Sequence, residues 1–340
     1  MTLRKRPDSG PKITAVSPAA AIPGGEFQIR GKGLTGDARP QARFGDLFAP
    51  VVIGSESLMI VKVPAGASHG ELMLGGTGDV SWTCDIGIQI AENLHPVANP
   101  VVDSQGNIYT TMSGSAGQKT PVSIYKIDSS LQPRALVADI MNATGLALDA
   151  SGILYVSSRH DGVVYQVSPS GNAVTYVEGM GVATGIVFDR DDNLYVGDRS
   201  GTIFKISRDR QIYVFATVER SIAAYHLAIG PDGFLYVTGP TTSSFDVVHR
   251  VSPDGHVEVF YRGLGRPQGM AFDVDGNLYV AASLAGRRGV VKITPDAQAE
   301  LFISGPSIVG VAFMSPKAML LATNNALFRV HVDVQGRPLP

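Results

Sequence analysis

Three short stretches of the chain carry residue types that could transfer protons. They are, in chain order, His160 and Asp161 in RHDG, Asp198 and Arg199 in GDRSG, and Tyr225 and His226 in AYHLAIG. A histidine beside a carboxylate suggests acid–base catalysis only where a third group orients the imidazole. The alternative interpretation is structural, with solvated loops for the first two stretches and a wall residue for His226.

Aspartates that recur ahead of short apolar runs raise the question of a metal site. They are Asp103, Asp149, Asp189 and Asp273. Their surroundings lack the alternating oxygens and late glutamate of an EF-hand, and the chain has no GxxxxGK[ST], no Cys/His zinc pattern and no GxSxG. An aspartate at the first position of a tight turn accepts backbone N–H groups, which explains the residue type without a metal. We therefore predict no metal site, no cofactor and no catalytic residue.

His226 and the aspartates belong to a stretch that recurs along the chain. The clearest copy is PQGMAFDVDGNLYV at residues 267–280, and related copies begin at residues 98, 143, 183, 224 and 308. Alignment of the copies on one position gives steps of 46, 40, 41, 43 and 41 residues, the aligned residues being Tyr109, Tyr155, Tyr195, Tyr236, Tyr279 and Leu320. This period is typical of a propeller blade.

Each copy predicts a β-hairpin, because a D-x-x-G-type turn separates two apolar runs. Two more runs follow, for example at residues 163–167 and 173–177, so each repeat holds about four strands. We predict an all-β chain with an N-terminal immunoglobulin-like β-sandwich and a C-terminal six-bladed β-propeller. The predicted blades cover residues 98–138, 143–178, 183–217, 224–261, 267–303 and 308–332.

Residues 11–91 have a different pattern, with short alternating strands broken by Gly and Pro, as expected of a small β-sandwich. The segments ITAVSP (13–18), GGEFQIRGKGL (24–34) and VKVPAG (61–66) resemble the opening, second-strand and penultimate-strand motifs of IPT/TIG immunoglobulin-like domains. Such domains are generally binding or spacer modules, so the resemblance implies interaction. Residues 1–10 are predicted to form a basic tail, and residues 92–340 the propeller.

The end of the sandwich is predicted to complete the propeller. Aligned on Asp103 and Asp273, residues 86–91 occupy the place of an outermost blade strand. The sixth repeat lacks such a strand, because only DVQGRPLP follows residue 332 and its two prolines make it a poor strand. We therefore expect residues 86–91 to close the ring, which hides sheet edges.

The propeller repeats resemble NHL-type repeats and the gluconolactonase and senescence-marker-protein family. That resemblance implies a divalent ion at the central channel, held by a Glu, an Asn and an Asp at the start of the innermost strands. The corresponding positions here are Ala98, Thr144, Thr184 and Gln268, and the ring is completed by Tyr225 and Val309. A hard cation needs several converging oxygen ligands, and no carboxylate stands at these positions. The resemblance therefore supports the fold and argues against the activity.

Streptogramin lyase shares this architecture, and the likeness implies an acid or histidine base facing the channel. His226 stands where other repeats have Gly145, Gly185 and Gly269. The alternative enzyme hypothesis is a gluconolactonase-like hydrolase or a lyase that acts on a small ligand at the channel mouth. Its site residues would be Tyr225, His226, Gln268 and His160.

Composition limits the possible partners and compartment. Apolar residues make up 44% and charged residues 17% of the chain, and the net charge is −2, which predicts no nucleic-acid binding. The single cysteine, Cys84, cannot form an intramolecular disulfide, and we expect it to be a small apolar strand residue. Because the sequence shows no signal peptide and no apolar run of membrane-spanning length, we expect a cytoplasmic protein.

Two groups of basic residues are candidates for interaction. The first is the tail group of Arg4, Lys5 and Arg6, which could contact anionic lipid or be a solvated tail. The second comprises Arg262, Arg266, Arg287 and Arg288, which could form a basic patch around the fifth blade. Our main hypothesis is a non-enzymatic scaffold subunit of a multi-subunit complex, with possible peripheral membrane contact. A weaker alternative is a sugar-binding module that uses Trp82 and scattered tyrosines for stacking.

Overall fold

A computed structural model describes residues 11–35, 40–68, 70–75, 80–115, 117–314 and 317–338, and the regular structure of these residues is entirely β. The chain divides into two compact units. The first comprises Met1–Ile88 with Phe302–Pro306, and the second comprises Gln89–Leu301 with Ser307–Pro340. The predicted fold class is confirmed: an immunoglobulin-like sandwich precedes a six-bladed propeller.

The first unit contains two four-stranded sheets. Their strands are β1 (Lys12–Ser17), β3 (Glu26–Lys32), β7 (Leu58–Lys62) and β6 (Val51–Gly54) in one sheet, and β5 (Leu47–Ala49), β4 (Gln41–Phe44), β8 (Glu71–Gly75) and β9 (Val80–Thr83) in the other. Alternate residues of β3 point into the core, where Phe27 and Ile29 are fully buried. Cys84 follows β9 as a buried residue outside a strand, and burial, followed by the charge of Asp85, raises the pKa of its thiol to about 12. Its thiol is therefore protonated and packs as an apolar group.

Two short strands add to the first unit, β2 (Ala20–Ala21) and β10 (Asp85–Ile86). Ala21 pairs in parallel with Ile86 on one side and with Ser304 on the other. The Ser304 hydroxyl also accepts the Glu26 N–H at 2.8 Å. The segment 302–306, far away in the sequence, is thus an integral part of the first unit.

The six blades have four strands each, and the outer strand of the fifth blade ends in residues 302–304, which belong to the first unit. Strands are given from the inner to the outer one. The first blade contains β12 (Val101–Val102), β13 (Ile108–Thr111), β14 (Ile124–Ile127) and β15 (Pro133–Val137), the second β16 (Ala143–Leu148), β17 (Leu154–Ser158), β18 (Val163–Val167) and β19 (Ala173–Val177), and the third β20 (Ala183–Phe188), β21 (Leu194–Asp198), β22 (Thr202–Ile206) and β23 (Ile212–Thr217). The fourth blade contains β24 (His226–Ile229), β25 (Leu235–Thr238), β26 (Asp246–Val251) and β27 (Val257–Leu264), the fifth β28 (Met270–Phe272), β29 (Leu278–Leu284), β30 (Arg287–Ile293) and β31 (Ala299–Ser304), and the sixth β32 (Ile308–Met314), β33 (Ala318–Thr323), β34 (Ala326–His331) and β11 (Ile88–Glu92).

The outer strand of the sixth blade is β11, which lies beside β34. We expected this strand at residues 86–91, whereas the structure places it at Ile88–Glu92. The difference arises because Ile86 pairs with Ala21, whose carbonyl also accepts the Gly87 N–H at 2.8 Å. Residues 333–338 form no fourth strand of this blade, and Gly336 instead forms a bridge with Asp273.

The recurring aspartates build the hairpin turns, as the turn interpretation predicts. In the first, second, third and fifth blades, Oδ1 of the aspartate accepts one or two backbone N–H groups at 2.8–2.9 Å. Oδ2 accepts the hydroxyl of the tyrosine six residues later at 3.0–3.2 Å. Burial, and then the charge of Asp103, raise the pKa of Tyr109 to about 12, so this phenol remains a donor.

The same tyrosines also join neighbouring blades. Tyr155 meets Phe188 of the next blade edge to face, with ring centroids 4.7 Å apart, and Tyr236 meets Phe272 in the same way at 4.8 Å. Edge-to-face pairs of this kind contribute roughly 0.5–1.5 kcal/mol beyond the area that they bury. Tyr155 and Tyr236 therefore hold their own turns and also stabilise the contact with the next blade.

Candidate functional site

One face of the propeller collects most of the residues that could carry function. The first strand of a blade starts where its second strand ends, as shown by the pairs Ala143 with Ser158 and Ala183 with Asp198. The loops before each first strand and after each second strand therefore share one face, which we call the mouth face. It includes the described parts of the predicted inserted loops, at residues 114–115, 117–121 and 239–245, the turn at 285–286, and the stretches RHDG and DRSG.

At the ring positions predicted to line the channel, the two threonine hydroxyls form hydrogen bonds with the backbone. The Thr144 hydroxyl donates to the Asn142 carbonyl at 2.9 Å. The Thr184 hydroxyl donates to the Gly197 carbonyl at 2.8 Å and accepts the Tyr225 N–H at 3.1 Å. These hydroxyls stabilise the inner strands and are not free for a ligand.

The other ring positions differ in burial. Ala98 is 5% exposed, whereas Gln268 and Val309 are half-buried. The Gln268 carbonyl accepts the Thr238 hydroxyl at 2.6 Å, and its N–H donates to Ala281 at 2.8 Å. Both bonds use the Gln268 backbone, so its side-chain amide stays available at the ring.

Tyr225 fills a slot and does not face an open channel. A Cβ atom added to Gly197 would lie 2.9 Å from the Tyr225 Cβ, and one added to Gly239 would lie 2.7 Å from the Tyr225 ring. Two glycines, one in the third blade and one in the fourth, thus make room for this ring, and its hydroxyl donates to the Glu219 carbonyl. Burial is the main cause that raises the Tyr225 pKa to about 12, so the phenol is neutral.

A collar of glycines lies one residue beyond the ring. A Cβ atom on Gly145, Gly185 or Gly310 would lie 2.4 Å from a ring-position carbonyl of the next blade. This distance is far below any normal contact, so only glycine permits the innermost strands to approach this closely. Two blades carry another residue at the collar position, Asn99 and His226.

Asn99 links three blades at the collar. Its Nδ2 donates to the Met270 carbonyl at 2.8 Å, and its Oδ1 accepts the Val311 N–H at 3.0 Å. Our sequence analysis missed this residue, although a polar side chain in a column of glycines was a signal that could have found it. The structure assigns Asn99 to the closure of the ring.

His226 is the other exception, and it is a buried residue. The residue is 3% exposed, and its ring forms no hydrogen bond with any residue that the structure describes. Burial lowers the His226 pKa to about 4, so the imidazole is neutral near pH 7. A group with this pKa is a weak base at neutral pH.

The buried imidazole predicts a pH dependence of stability. The folded pKa of about 4 lies below the unfolded value of roughly 6.5, so between these values the unfolded state binds more protons. The contribution is fully favourable above the unfolded pKa and is lost as the pH falls towards the folded pKa. We expect His226→Gln to remove about 3 kcal/mol of the decrease in unfolding free energy between pH 7 and pH 4.

Urea unfolding at several pH values, followed by the near-ultraviolet circular dichroism of tyrosine, measures this difference. All 11 tyrosines lie at or beyond residue 109, so their signal reports on the propeller. His256→Gln, at an exposed histidine, is the matched control and should leave the wild-type pH slope unchanged. Parallel slopes for wild type and His226→Gln would contradict the prediction.

The ring does not fit the divalent ion that the gluconolactonase resemblance implies. Its side chains are two threonines, a tyrosine, a glutamine, an alanine and a valine, and the hydroxyls already bind the backbone. Among the residues with described positions, no three His, Cys, Asp or Glu side chains gather as a metal-binding group. Calcium and similar ions require several oxygen ligands, usually including carboxylates, and this donor set does not supply them.

The remaining candidates are placed as follows. His160 is an exposed loop residue, and its Nε2 lies 4.0 Å from Asp161, which also accepts the Ser158 hydroxyl at 3.0 Å. No third group orients the imidazole among the described residues, as expected of a solvated loop. The Asp198 carboxylate accepts the Val182 N–H at 2.8 Å and a serine hydroxyl, so it builds the turn.

Of the two groups of basic residues, the structure describes the second. Arg4, Lys5 and Arg6 lie outside the described residues. Arg262 lies in the outer strand β27, Arg266 lies in the loop before β28, and Arg287 and Arg288 begin β30. Gly265 bridges to Ser283, which pairs with Arg288, so the backbones near Arg266 and Arg288 are neighbours on the mouth face.

The comparisons with known proteins agree with this architecture. Residues 11–87 match the family model of the IPT/TIG domain. No curated protein matches the chain. The chain is therefore an IPT/TIG domain followed by a six-bladed propeller.

Several solved propellers are similar in fold. A gluconolactonase from Xanthomonas campestris is 16% identical over 76% of this chain and 90% of its own, with a TM-score of 0.60. An auxiliary nutrient binding protein from Bacteroides thetaiotaomicron is 10% identical over 96% and 98%, with a TM-score of 0.58. A catalytically inactive virginiamycin B lyase from Staphylococcus aureus with quinupristin is 12% identical over 96% of both chains, with a TM-score of 0.53. At these identities the likeness shows the fold alone.

Among the described residues, no helix is long and apolar enough to cross a membrane.

Proposed function

We propose that the protein is a non-enzymatic binding protein whose mouth face contacts a partner protein within a larger assembly. The observation that carries this proposal is an exposed apolar pair on that face. Phe245 is 66% exposed in the inserted loop of the fourth blade, and Ile222 is 44% exposed in the loop before β24. Exposed aromatic residues beside arginines are typical of the centre of a protein interface.

The two apolar side chains are held on connected loops. The Ile222 N–H donates to the Pro240 carbonyl at 2.9 Å, and the Ser221 hydroxyl donates to the same carbonyl at 2.9 Å. Arg199 also reaches this loop, since its Nη2 donates to the Ile222 carbonyl at 3.0 Å. A preorganised loop loses little conformational entropy on binding, which favours recognition.

The residues at the ring and collar positions support a binding role more than a catalytic one. The hydroxyls of Thr144 and Thr184 bind the backbone, and the buried His226 has a strongly lowered pKa. The proposal extends to a complex at a membrane surface, with Arg4, Lys5 and Arg6 as the lipid-contacting group. The motivation is their charge, worth roughly 1 kcal/mol each near an anionic surface.

Affinity purification of the tagged full chain from its native host, followed by mass spectrometry, tests the proposal. We expect one or more proteins at stoichiometric amounts with wild type and at least a roughly tenfold loss with Phe245→Asp, because a buried charge removes the apolar contact. Val214→Asp is the matched control, since Val214 is 68% exposed but lies in the outer strand β23. A wild-type chain that is monomeric and without partners in native lysate contradicts the proposal.

A second candidate function is a hydrolase or lyase that acts at the channel. The observation in its favour is the unpartnered His226 imidazole beside a ring that includes the Gln268 amide. A lactone-hydrolysis screen of wild type, His226→Ala and Gln268→Ala distinguishes it from the binding role. Turnover by wild type that both variants lose supports this candidate, and absence of turnover removes it.

A further inference from the structure

We propose that Arg159 and Arg199 form a binding site for a small oxyanion, a carboxylate or a phosphate group, on the mouth face of the propeller. The site does not depend on the protein partner proposed above. It rests on two arginines at equivalent backbone positions in adjacent blades, whose guanidinium groups form no ion pair with a carboxylate among the described residues.

The two arginines occupy the same structural position in adjacent blades. Arg159 directly follows β17, and Arg199 directly follows β21. Their backbone N–H groups donate to the loop that precedes the first strand of the same blade, at Asn142 and Val182 respectively, both at 3.3 Å. The repeat therefore places both side chains at the same height on the mouth face.

Each guanidinium is anchored by one hydrogen bond to a backbone carbonyl. Nη2 of Arg159 donates to Gly114 at 2.9 Å, and Nη2 of Arg199 donates to Ile222 at 3.0 Å. The Gly114 loop is itself held by Asn142, whose Nδ2 donates to the same carbonyl at 2.9 Å. Arg159 is thus held by a loop of the first blade, and Arg199 by the loop before the fourth blade.

Most of the donors of the two groups remain unused. A guanidinium carries five N–H donors. Neither arginine forms an ion pair with any carboxylate in the described part of the chain. Nε of Arg199 is buried and has no hydrogen-bond partner among the described residues. A buried unpaired donor is costly, and an acceptor supplied by a ligand would satisfy it.

The positive charge of Arg199 also acts on Arg159. Burial, followed by repulsion from Arg199, lowers the pKa of the Arg159 guanidinium. The nearest carboxylate in sequence, Asp198, already accepts the Val182 N–H and the Ser200 hydroxyl. A bound anion near two half-buried charges that repel each other would lower the free energy of both.

The chemistry of the donors defines the class of ligand. The planar fork of arginine matches the two oxygens of a carboxylate or phosphate and binds them through charge-assisted hydrogen bonds. Two such forks favour a ligand that carries at least two negative charges or two oxygens on different sides. Inorganic phosphate and malonate represent the two sources of this chemistry.

Titration calorimetry of the full chain with inorganic phosphate and, separately, with malonate tests the site at low ionic strength. We expect saturable binding of at least one probe with a Kd of about 1 mM or tighter, and at least a tenfold weakening in Arg159→Gln and in Arg199→Gln. The preferred probe identifies a phosphate or a carboxylate ligand. Arg288→Gln, an exposed arginine on the same face, is the matched control and should bind as wild type does.

Thermal unfolding without ligand separates loss of binding from loss of folding. Each single variant loses one hydrogen bond to a backbone carbonyl but also the repulsion between the two charges, so it should unfold close to the wild-type temperature. Two outcomes overturn the proposal: neither probe binds wild type in the range up to about 10 mM, or both variants bind as tightly as wild type.

Discussion

Gly310→Ala should lower the free energy of unfolding of the propeller by about 3 kcal/mol, because the innermost strands have no room for a methyl group. A Cβ atom at Gly310 would lie 2.4 Å from the Ala98 carbonyl oxygen and 2.8 Å from the Asn99 Cα atom. Both are backbone atoms of the first blade, so no side chain can move aside. The sixth and first blades would have to separate at the point where the ring closes.

Urea unfolding followed by tyrosine circular dichroism measures the effect. The single tryptophan, Trp82, lies in β9 of the first unit, so its fluorescence reports on the sandwich independently. Gly75→Ala is the matched control, because a Cβ atom there meets nothing within 4 Å. It should change the free energy of unfolding by less than about 0.5 kcal/mol. A Gly310→Ala chain as stable as this control would show that the collar tolerates a side chain.

The second large effect is expected for Asn99→Ala, with a loss of roughly 2–4 kcal/mol of unfolding free energy. The substitution leaves the Met270 carbonyl and the Val311 N–H without their amide partner. Both belong to buried residues, and a buried backbone group without a hydrogen bond carries the full desolvation penalty. Three blades lose their common contact in one substitution.

Asn99→Asp sharpens this test. The aspartate keeps an oxygen for the Val311 N–H but places a carboxylate against the Met270 carbonyl, so it should be destabilising at pH 7 and less so at pH 4, where it can be protonated. Asn172→Ala is the control, because this exposed amide has one weak bond of 3.4 Å to Ser170. Equal stability of Asn99→Ala and Asn172→Ala would show that Asn99 does not hold the ring together.

Local patterns in the sequence predict much of this fold. The spacing of Tyr155, Tyr195 and Tyr236 predicts the blades, because strand alternation and hairpin turns depend on residues close together in the chain. The aspartate turns follow from the same local chemistry, since Asp149 accepts N–H groups only two and four residues away. The closing strand is displaced from the expected residues 86–91 to Ile88–Glu92, because pairing with Ala21 was not visible in the pattern.

Local sequence patterns do not predict the side-chain contacts of the candidate functional site. Alignment identifies the ring positions, but it does not reveal that the Thr184 hydroxyl binds Gly197 or that two glycines enclose Tyr225. It also treats Arg199 as part of a turn, although the structure leaves its Nε buried and unpaired among the described residues. Burial and hydrogen-bond partners decide the role of a polar residue, and both depend on neighbouring blades.

By itself, the sequence determined the number of blades, the nature of the N-terminal domain and the absence of carboxylates from the ring, since each depends on the order of residues along the chain. Only the tertiary structure decided what Asn99 does, because its partners Met270 and Val311 are 171 and 212 residues away. It also decided that Arg159 and Arg199 lie close enough to repel each other. The physical reason is ring closure, which brings distant strands together around one axis.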